Sequence, residues 1–438
     1  MGRAAHLRAA GTQGLTIGLT AEAPAGRLGD VVPARARIVA AAVLAATALS
    51  LALAAAAGAV SHALEPRLDR ALRVPHVSPA ASAAFAIDLD TGEAIYSRNA
   101  SLSLLPASNE KLAVTYAALT ALGPSFQIET DVLGAGQQTS STWQGDLILK
   151  GYGDPTLTPS DLTVLARQVR AAGIARVTGR VLADESWFDA RRTAPGWKAS
   201  FLIQESPPLS ALIVDRGRVG RWTSHDPALA AGQLFRAALL RAGVRVAGDT
   251  AHGTAGDTAV PLAAVDSPPL RAIVRWMDRV SDNFEAEMLL KQLGAIQSDR
   301  GTTSAGIGVV MGLLAQAGVP MAGVRMVDGS GLSLLDRFTA NALVSLLTVM
   351  WNDPGVRPEL LASLPVAGRS GTLVHRMRGT AAAGVVLAKT GTTSNASALS
   401  GFVGDRFVFS ILQNGWPISW SWARLAQDRF AAVLAAAQ

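Results

Sequence analysis

Three short polar motifs constrain this chain more than any other feature, because each is chemically idle alone and the three lie far apart. Ser108-Asn109-Glu110-Lys111 opens a helical pattern. Ser281-Asp282-Asn283 begins 173 residues after Ser108, and Lys389-Thr390-Gly391-Thr392 ends a strand-like run 108 residues later. A fold that uses them together must bring three separated segments to one place. Positions i and i+3 on a helix share a face, so Ser108 and Lys111 can meet. A serine hydroxyl is a weak nucleophile until a neighbouring base takes its proton. Lys111 can be that base only with a lowered pKa, which burial and a second cation both favour; Lys389 is the candidate second cation. A helix start also places backbone N–H groups and the helix dipole where negative charge develops on Ser108. Ser281 then reads as a relay that bridges the two lysines and passes a proton to the leaving amine. Asn283 reads as the holder of a substrate amide, and Asp282 as structural. The run Val385–Ala388 reads as a strand edge able to dock an extended peptide. Gly391 would leave room for that peptide's backbone, while Lys389, Thr390 and Thr392 would grip a terminal carboxylate. Singly, each motif also has an ordinary reading: a helix start, a turn cluster interrupting a helix, a strand running into a polar loop.

Composition removes several other chemistries. The chain has no cysteine, which excludes disulfides, thiol nucleophiles, iron–sulfur clusters and cysteine-type zinc sites. Its six histidines, at positions 6, 62, 76, 225, 252 and 375, form no HExxH and no tight pair, so neither a metal nor another cofactor is expected. A 49% apolar and 16% charged composition excludes wholesale disorder. A chain of 438 residues allows two to three domains. The formal charge of +6 is spread without a run of five basic residues, which predicts mild attraction to anionic polymer and no nucleic-acid partner.

Residues 1–37 are Gly/Ala-rich and read as a leader. Arg35 and Arg37 precede an uncharged run of 23 residues, 38–60. That length can span a bilayer as a helix, and the preceding positive charge places the rest of the chain outside the cytoplasm. A cleaved signal and a retained anchor both fit; a buried Ala-rich helix is the alternative. Residues 64–82, rich in proline, read as a linker. Two short strands, 85–89 and 94–96, flank a turn at Asp90-Thr91-Gly92-Glu93. Helices are predicted over 105–122, 161–172, 227–242, 270–293 with a break near Ser281, 305–318, 339–351 and 421–437. Antiparallel strands are predicted over 385–389, 398–403 and 407–413. No period of 20–50 residues recurs. The order of helices and strands predicts an α+β fold.

The ordered triple Ser-x-x-Lys, Ser-Asp-Asn, Lys-Thr-Gly is shared by penicillin-binding proteins and class A β-lactamases. Across roughly residues 80–437 the chain resembles the D-alanyl-D-alanine carboxypeptidase/endopeptidases of the class C low-molecular-mass penicillin-binding proteins. Pro106–Leu112 resembles their nucleophile segment. Gly145-Asp146-Leu147 and Gly153-Asp154-Pro155-Thr156-Leu157 resemble a stretch of their inserted region. Val280–Phe284, Asp328-Gly329-Ser330-Gly331-Leu332-Ser333, Gly368–Leu373 and Ala388–Thr392 complete the likeness. The resemblance implies a penicillin-recognising serine DD-peptidase fold, an antiparallel sheet packed by helices plus a helical subdomain. Residues 83–123 and 259–438 would form the peptidase domain and 124–258 an insertion. It implies Ser108 as the acylated nucleophile, Lys111 as its base, and Ser281 and Asn283 in proton transfer and substrate placement. Lys389, Thr390 and Thr392 would bind the carboxylate, and the backbone N–H groups of Ser108 and Thr392 would form the oxyanion hole. Peptidoglycan peptides are then the substrates and β-lactams the inhibitors. Asp184 would meet the amine of a diamino acid in the stem peptide; a turn-capping role is its other reading. Two alternatives remain: a β-lactamase, against which no glutamate occurs from 288 to 358, and a non-catalytic wall-binding protein.

Overall fold

The computed structural model describes residues 63–438, so the expected leader and the uncharged run 38–60 lie outside the described residues. Among the described residues no helix is long and apolar enough to cross a membrane. A five-stranded antiparallel sheet runs in the order Val386–Thr392, Ala396–Val403, Phe407–Asn414, Ser82–Asp88, Ala94–Arg98. Successive side chains of a strand point to opposite faces. Phe407, Phe409 and Ile411 therefore enter one core with Phe430 and Leu434 of the terminal helix Trp420–Ala435. Val408 and Leu412 enter a second core with Leu112, Leu343 and Leu347 on the other side. Every residue of Phe407–Asn414 is buried, so this central strand is covered on both faces instead of having one face in solvent.

The predicted linker at 64–82 is corrected at its start. Residues 63–72 form a helix that buries Leu64, Leu68 and Ala71, spaced by four and three, against the sheet. Pro66 lies within this helical stretch, and so misleads as a linker signal.

A second sheet occupies the region predicted as an insertion. Its order is Thr250–His252, Val181–Asp184, Thr142–Gly151, Glu129–Thr139, Val260–Asp266, with short strands Arg176–Val177 and Arg245–Val246 stepping away from Thr142. The helix Pro159–Ala171 packs Leu162, Leu165 and Val169 onto it, and Pro227–Arg241 adds Phe235 and Leu239. Thr158 and Asp161 close a reciprocal capping box at the start of the first helix. The sheet ends at Asp266, beyond the predicted boundary at 258, because Ala263 and Val265 pack on this core.

The break expected near Ser281 is present. Leu270–Val280 ends, Ser281 takes φ 64° and ψ 46°, and Asn283–Ser298 begins. A left-handed conformation is unfavourable for a residue with a Cβ. Both helix ends are nonetheless satisfied: Asp282 N–H donates to the Met277 carbonyl at 2.8 Å, and the Asp282 carboxylate accepts from Glu285 N–H at 3.0 Å.

Candidate active site

The segment that carries Ser108 departs from the predicted continuous helix over 105–122. Ala107–Glu110 is a 3₁₀ turn and the α-helix starts at Lys111. Ala107 stands at φ 47°. Behind it, a Cβ on Gly331 (φ 80°) would lie 2.0 Å from the Ala107 carbonyl oxygen, so only glycine fits there. The Asp328–Ser333 loop thus presses directly against the turn that carries Ser108.

Lys111 is wholly buried. Its Nζ lies 3.0 Å from Ser108 Oγ, 2.8 Å from Asn283 Oδ1 and 2.6 Å from the Ser330 carbonyl oxygen. The last two atoms can only accept, so they take two N–H bonds. The third direction faces a hydroxyl that can itself donate. A neutral amine, with two hydrogens and one lone pair, satisfies all three contacts. Burial pulls Lys111 down to about 8, against the opposing pull of Asp328 and Glu287.

The Ser330 carbonyl is aimed by carboxylates. Asp328 accepts from Ser330 N–H and Oγ, Gly331 N–H, Ser333 N–H and Trp197 Nε1. Glu287 Oε1 accepts from Gly329 and Ser330 N–H, both at 2.9 Å. Glu110 and Asp336 are buried beside Asp328; burial, then the charges of Asp336 and Asp328, pushes Glu110 well above the carboxylate range, and burial, then Asp328, pushes Asp336 up to about 9.

Lys389 is also wholly enclosed. Its Nζ donates to Ser281 Oγ at 2.8 Å and to the Thr390 carbonyl at 3.0 Å. Burial, then Lys111, pulls it down to about 7. Ser281 bonds Lys389; the contact to Lys111 comes from Asn283, not from Ser281 as expected. Gly391 is explained differently from the sequence reading. A Cβ there would lie 2.8 Å from the Pro106 carbonyl oxygen and 2.9 Å from Asn109 Nδ2. The missing side chain admits the Pro106–Asn109 segment rather than a substrate backbone.

A cleft of about 490 Å³ joins these parts, lined by Ser108, Ser281, Asn283, Thr390 and Thr392. Sequence reasoning gave no role to several further lining residues, among them Glu205, Arg424 and Thr372. Glu205, exposed at one end, has its carbonyl bonded by Asn283 Nδ2 at 3.1 Å. Arg424 reaches from the terminal helix, its Nη2 donating to Thr392 Oγ1 at 3.3 Å. Thr372 accepts from Thr390 Oγ1 at 2.7 Å. Arg424 makes no ion pair among the described residues: the neighbouring Asp428 is held by Arg376 at 2.6 Å. Thr372 lies inside the Gly368–Leu373 segment already singled out, but an arginine on an amphipathic helix carries no local signal.

Asp184 does not line the cleft. It is fully buried in the second sheet, accepting from Ser186 N–H at 2.9 Å and Ala255 N–H at 2.8 Å, with Lys150 at 3.9 Å. The turn-capping reading describes these contacts, and the sequence assignment to a substrate amine is corrected. Asp184→Ala is expected to cost on the order of 1–3 kcal/mol in a denaturant melt, because two buried donors lose their acceptor. Turnover of the surviving folded enzyme should be unchanged; a selective loss on diamino-acid substrates would restore the earlier assignment.

The chain matches the D-Ala-D-Ala carboxypeptidase 3 (S13) family over residues 64–223 and 220–437. It is 34% identical over 432 residues to the D-alanyl-D-alanine carboxypeptidase of Actinomadura sp. (strain R39), covering 80% of each chain. It is 34% identical over 379 residues to carboxypeptidase DacB of Mycolicibacterium smegmatis, covering 79% of this chain and 78% of that one. Its fold resembles the crystal structure of penicillin binding protein 4 (dacB) from Haemophilus influenzae, with a TM-score of 0.73 at 22% identity, over 84% of this chain and 97% of that one.

Proposed function

The chain belongs to the D-Ala-D-Ala carboxypeptidase 3 (S13) family, and from that premise we propose how its cleft performs the reaction. The protein is a penicillin-binding serine D-Ala-D-Ala carboxypeptidase/endopeptidase whose substrate is peptidoglycan and whose work is extracytoplasmic. Ser108 Oγ attacks the carbonyl of the penultimate D-alanine as its proton passes to Lys111 Nζ. The oxyanion forms between the backbone N–H groups of Ser108 and Thr392, where preorganised donors stabilise charge as it develops. Collapse breaks the peptide bond; the leaving amine takes the Ser281 hydroxyl proton, which Lys389 replaces. Water then cleaves the ester, its proton passing back to Lys389 through Ser281, while Lys111 returns its proton to Ser108 Oγ. The observation that carries this reading is the Lys111 contact set, in which Ser108 is the one partner able to give up a proton.

The terminal carboxylate sits against Thr390, Thr392 and Arg424. Lys389 acts from behind the strand, its hydrogens being engaged by Ser281 and Thr390. Arg424 supplies the charge at the surface of the cleft, and its lack of an acidic partner supports this. The amine of a stem-peptide diamino acid, if present, is met by Glu205 at the other end. Arg424→Gln is expected to lower kcat/KM on a peptide ending in free D-alanine by about 10-fold or more, a charge-assisted bond contributing about 1.5–3 kcal/mol. The C-terminal amide of the same peptide should lose little. Equal loss on both peptides would remove the carboxylate role. Export follows from the uncharged run 38–60 behind Arg35 and Arg37, whether by a cleaved signal or a retained anchor.

A further inference from the structure

The second sheet carries its own cleft, of about 840 Å³, built from none of the residues around Ser108. Its floor is the parallel step where Thr142 is in register with Arg176, and Arg176 with Arg245. Register partners on neighbouring strands lie about 4.8 Å apart and point to one face. Two guanidinium side chains therefore stand abreast. Arg236, on the helix Pro227–Arg241, adds a third: its Nε donates to the Gly248 carbonyl at 3.1 Å and its Nη2 to the Val246 carbonyl at 3.5 Å. Nη1 is left without a hydrogen bond. Among the described residues none of the three arginines forms an ion pair, and Arg176 and Arg245 make no side-chain hydrogen bond. Ser141, Thr142, Gln233 and Thr250 add hydroxyl and amide groups to the lining, and no carboxylate lines it.

Like charges directly opposite on a ladder destabilise it. Folding alone gives no reason to place Arg245 beside Arg176 in a cleft that Arg236 also lines; an anion between them removes the cost. The planar guanidinium fork matches phosphate oxygens two at a time. The volume is that of a sizeable ligand and not of a lone ion. We propose that this cleft binds successive phosphate groups of a phosphodiester polymer outside the cytoplasm, giving the enzyme a second attachment independent of its reaction at Ser108.

The test uses the full chain and the double variant Arg176→Gln/Arg245→Gln, with poly(glycerol phosphate) as the probe. Wild type is expected to bind the polymer with an affinity that falls steeply as salt rises. The variant should bind at least about 10-fold more weakly, the loss of one or two charge-assisted contacts, while releasing D-alanine from a soluble peptide at the wild-type rate. In chloride buffer the variant should melt no lower than wild type, since a repulsive pair has gone. Only wild type should gain thermal stability when phosphate replaces chloride at equal ionic strength. Absent polymer binding, or equal binding by the variant, overturns the proposal. Full displacement of the polymer by millimolar inorganic phosphate would reassign the cleft to free phosphate. Equal affinity for a single-stranded oligonucleotide would reduce it to a general polyanion surface and overturn the assignment.

Discussion

Ser108→Ala is expected to abolish the covalent mass increment that brief exposure to benzylpenicillin leaves on the wild-type protein, and to cut D-alanine release by about 10⁵–10⁶-fold, the scale on which a serine peptidase fails without its nucleophile. The substitution removes one oxygen whose bonded partner is Lys111 Nζ. It leaves the 3₁₀ turn, the Gly331 contact and the two other Lys111 acceptors in place, so the variant should fold. Intact mass, measured beside D-alanine release, separates the alternatives. Full peptidase activity in Ser108→Ala would overturn the nucleophile assignment. A wild type that forms no adduct and leaves the drug intact would favour a wall-binding protein. A wild type that forms no adduct yet hydrolyses the drug would favour a β-lactamase.

The second large effect is expected at Lys111. Burial favours the uncharged amine, so the base is active in the form that accumulates as pH rises. Lys389, pulled down to about 7, lies next to it in the same charge network, and the two ammonium groups share the loss of the first proton. The wild-type acylation rate should therefore climb as pH rises through about 8 and level off once Lys111 is fully neutral. Lys111→Met keeps most of the buried volume and removes the base. Acylation should fall by about 10³-fold or more, within the range of general-base contributions, and the residual rate should lose its rise around pH 8. Asn283 Oδ1 and the Ser330 carbonyl lose a donor in this variant, so a lower melting temperature is expected too. A stopped-flow acylation profile decides: a variant that keeps the wild-type pH step would mean that another group takes the Ser108 proton.

Parts of this site are readable from local pattern. The i,i+3 spacing of Ser108 and Lys111 reports a shared face before any fold is known. The interruption at Ser281 is visible as a polar triplet inside an apolar periodicity, and the structure breaks the helix there. The helix over 63–72 was equally encoded by Leu64, Leu68 and Ala71, but the prolines around it obscured the period. Asp184 illustrates the opposite failure. Its residue type suits both a substrate amine and a backbone cap, and only its burial against Ser186 and Ala255 N–H separates the two.

By itself, the sequence determined which groups can react, their order, and the α+β alternation of elements, since these depend on residue identity and on periods of two and 3.6 along the chain. Only the tertiary structure decided what surrounds those groups. It set the Ser330 carbonyl against Lys111, closed Lys389 behind Ser281, brought Arg424 to Thr392 and made Gly391 a seat for Pro106. Each of these pairs joins residues more than 30 positions apart, and Ser330–Lys111 and Gly391–Pro106 more than 200. Their meeting depends on how two cores pack across one sheet, and no local periodicity records that packing. The lowered pKa values of both lysines follow from the same enclosure, because desolvation is a property of the assembled interior and not of any segment.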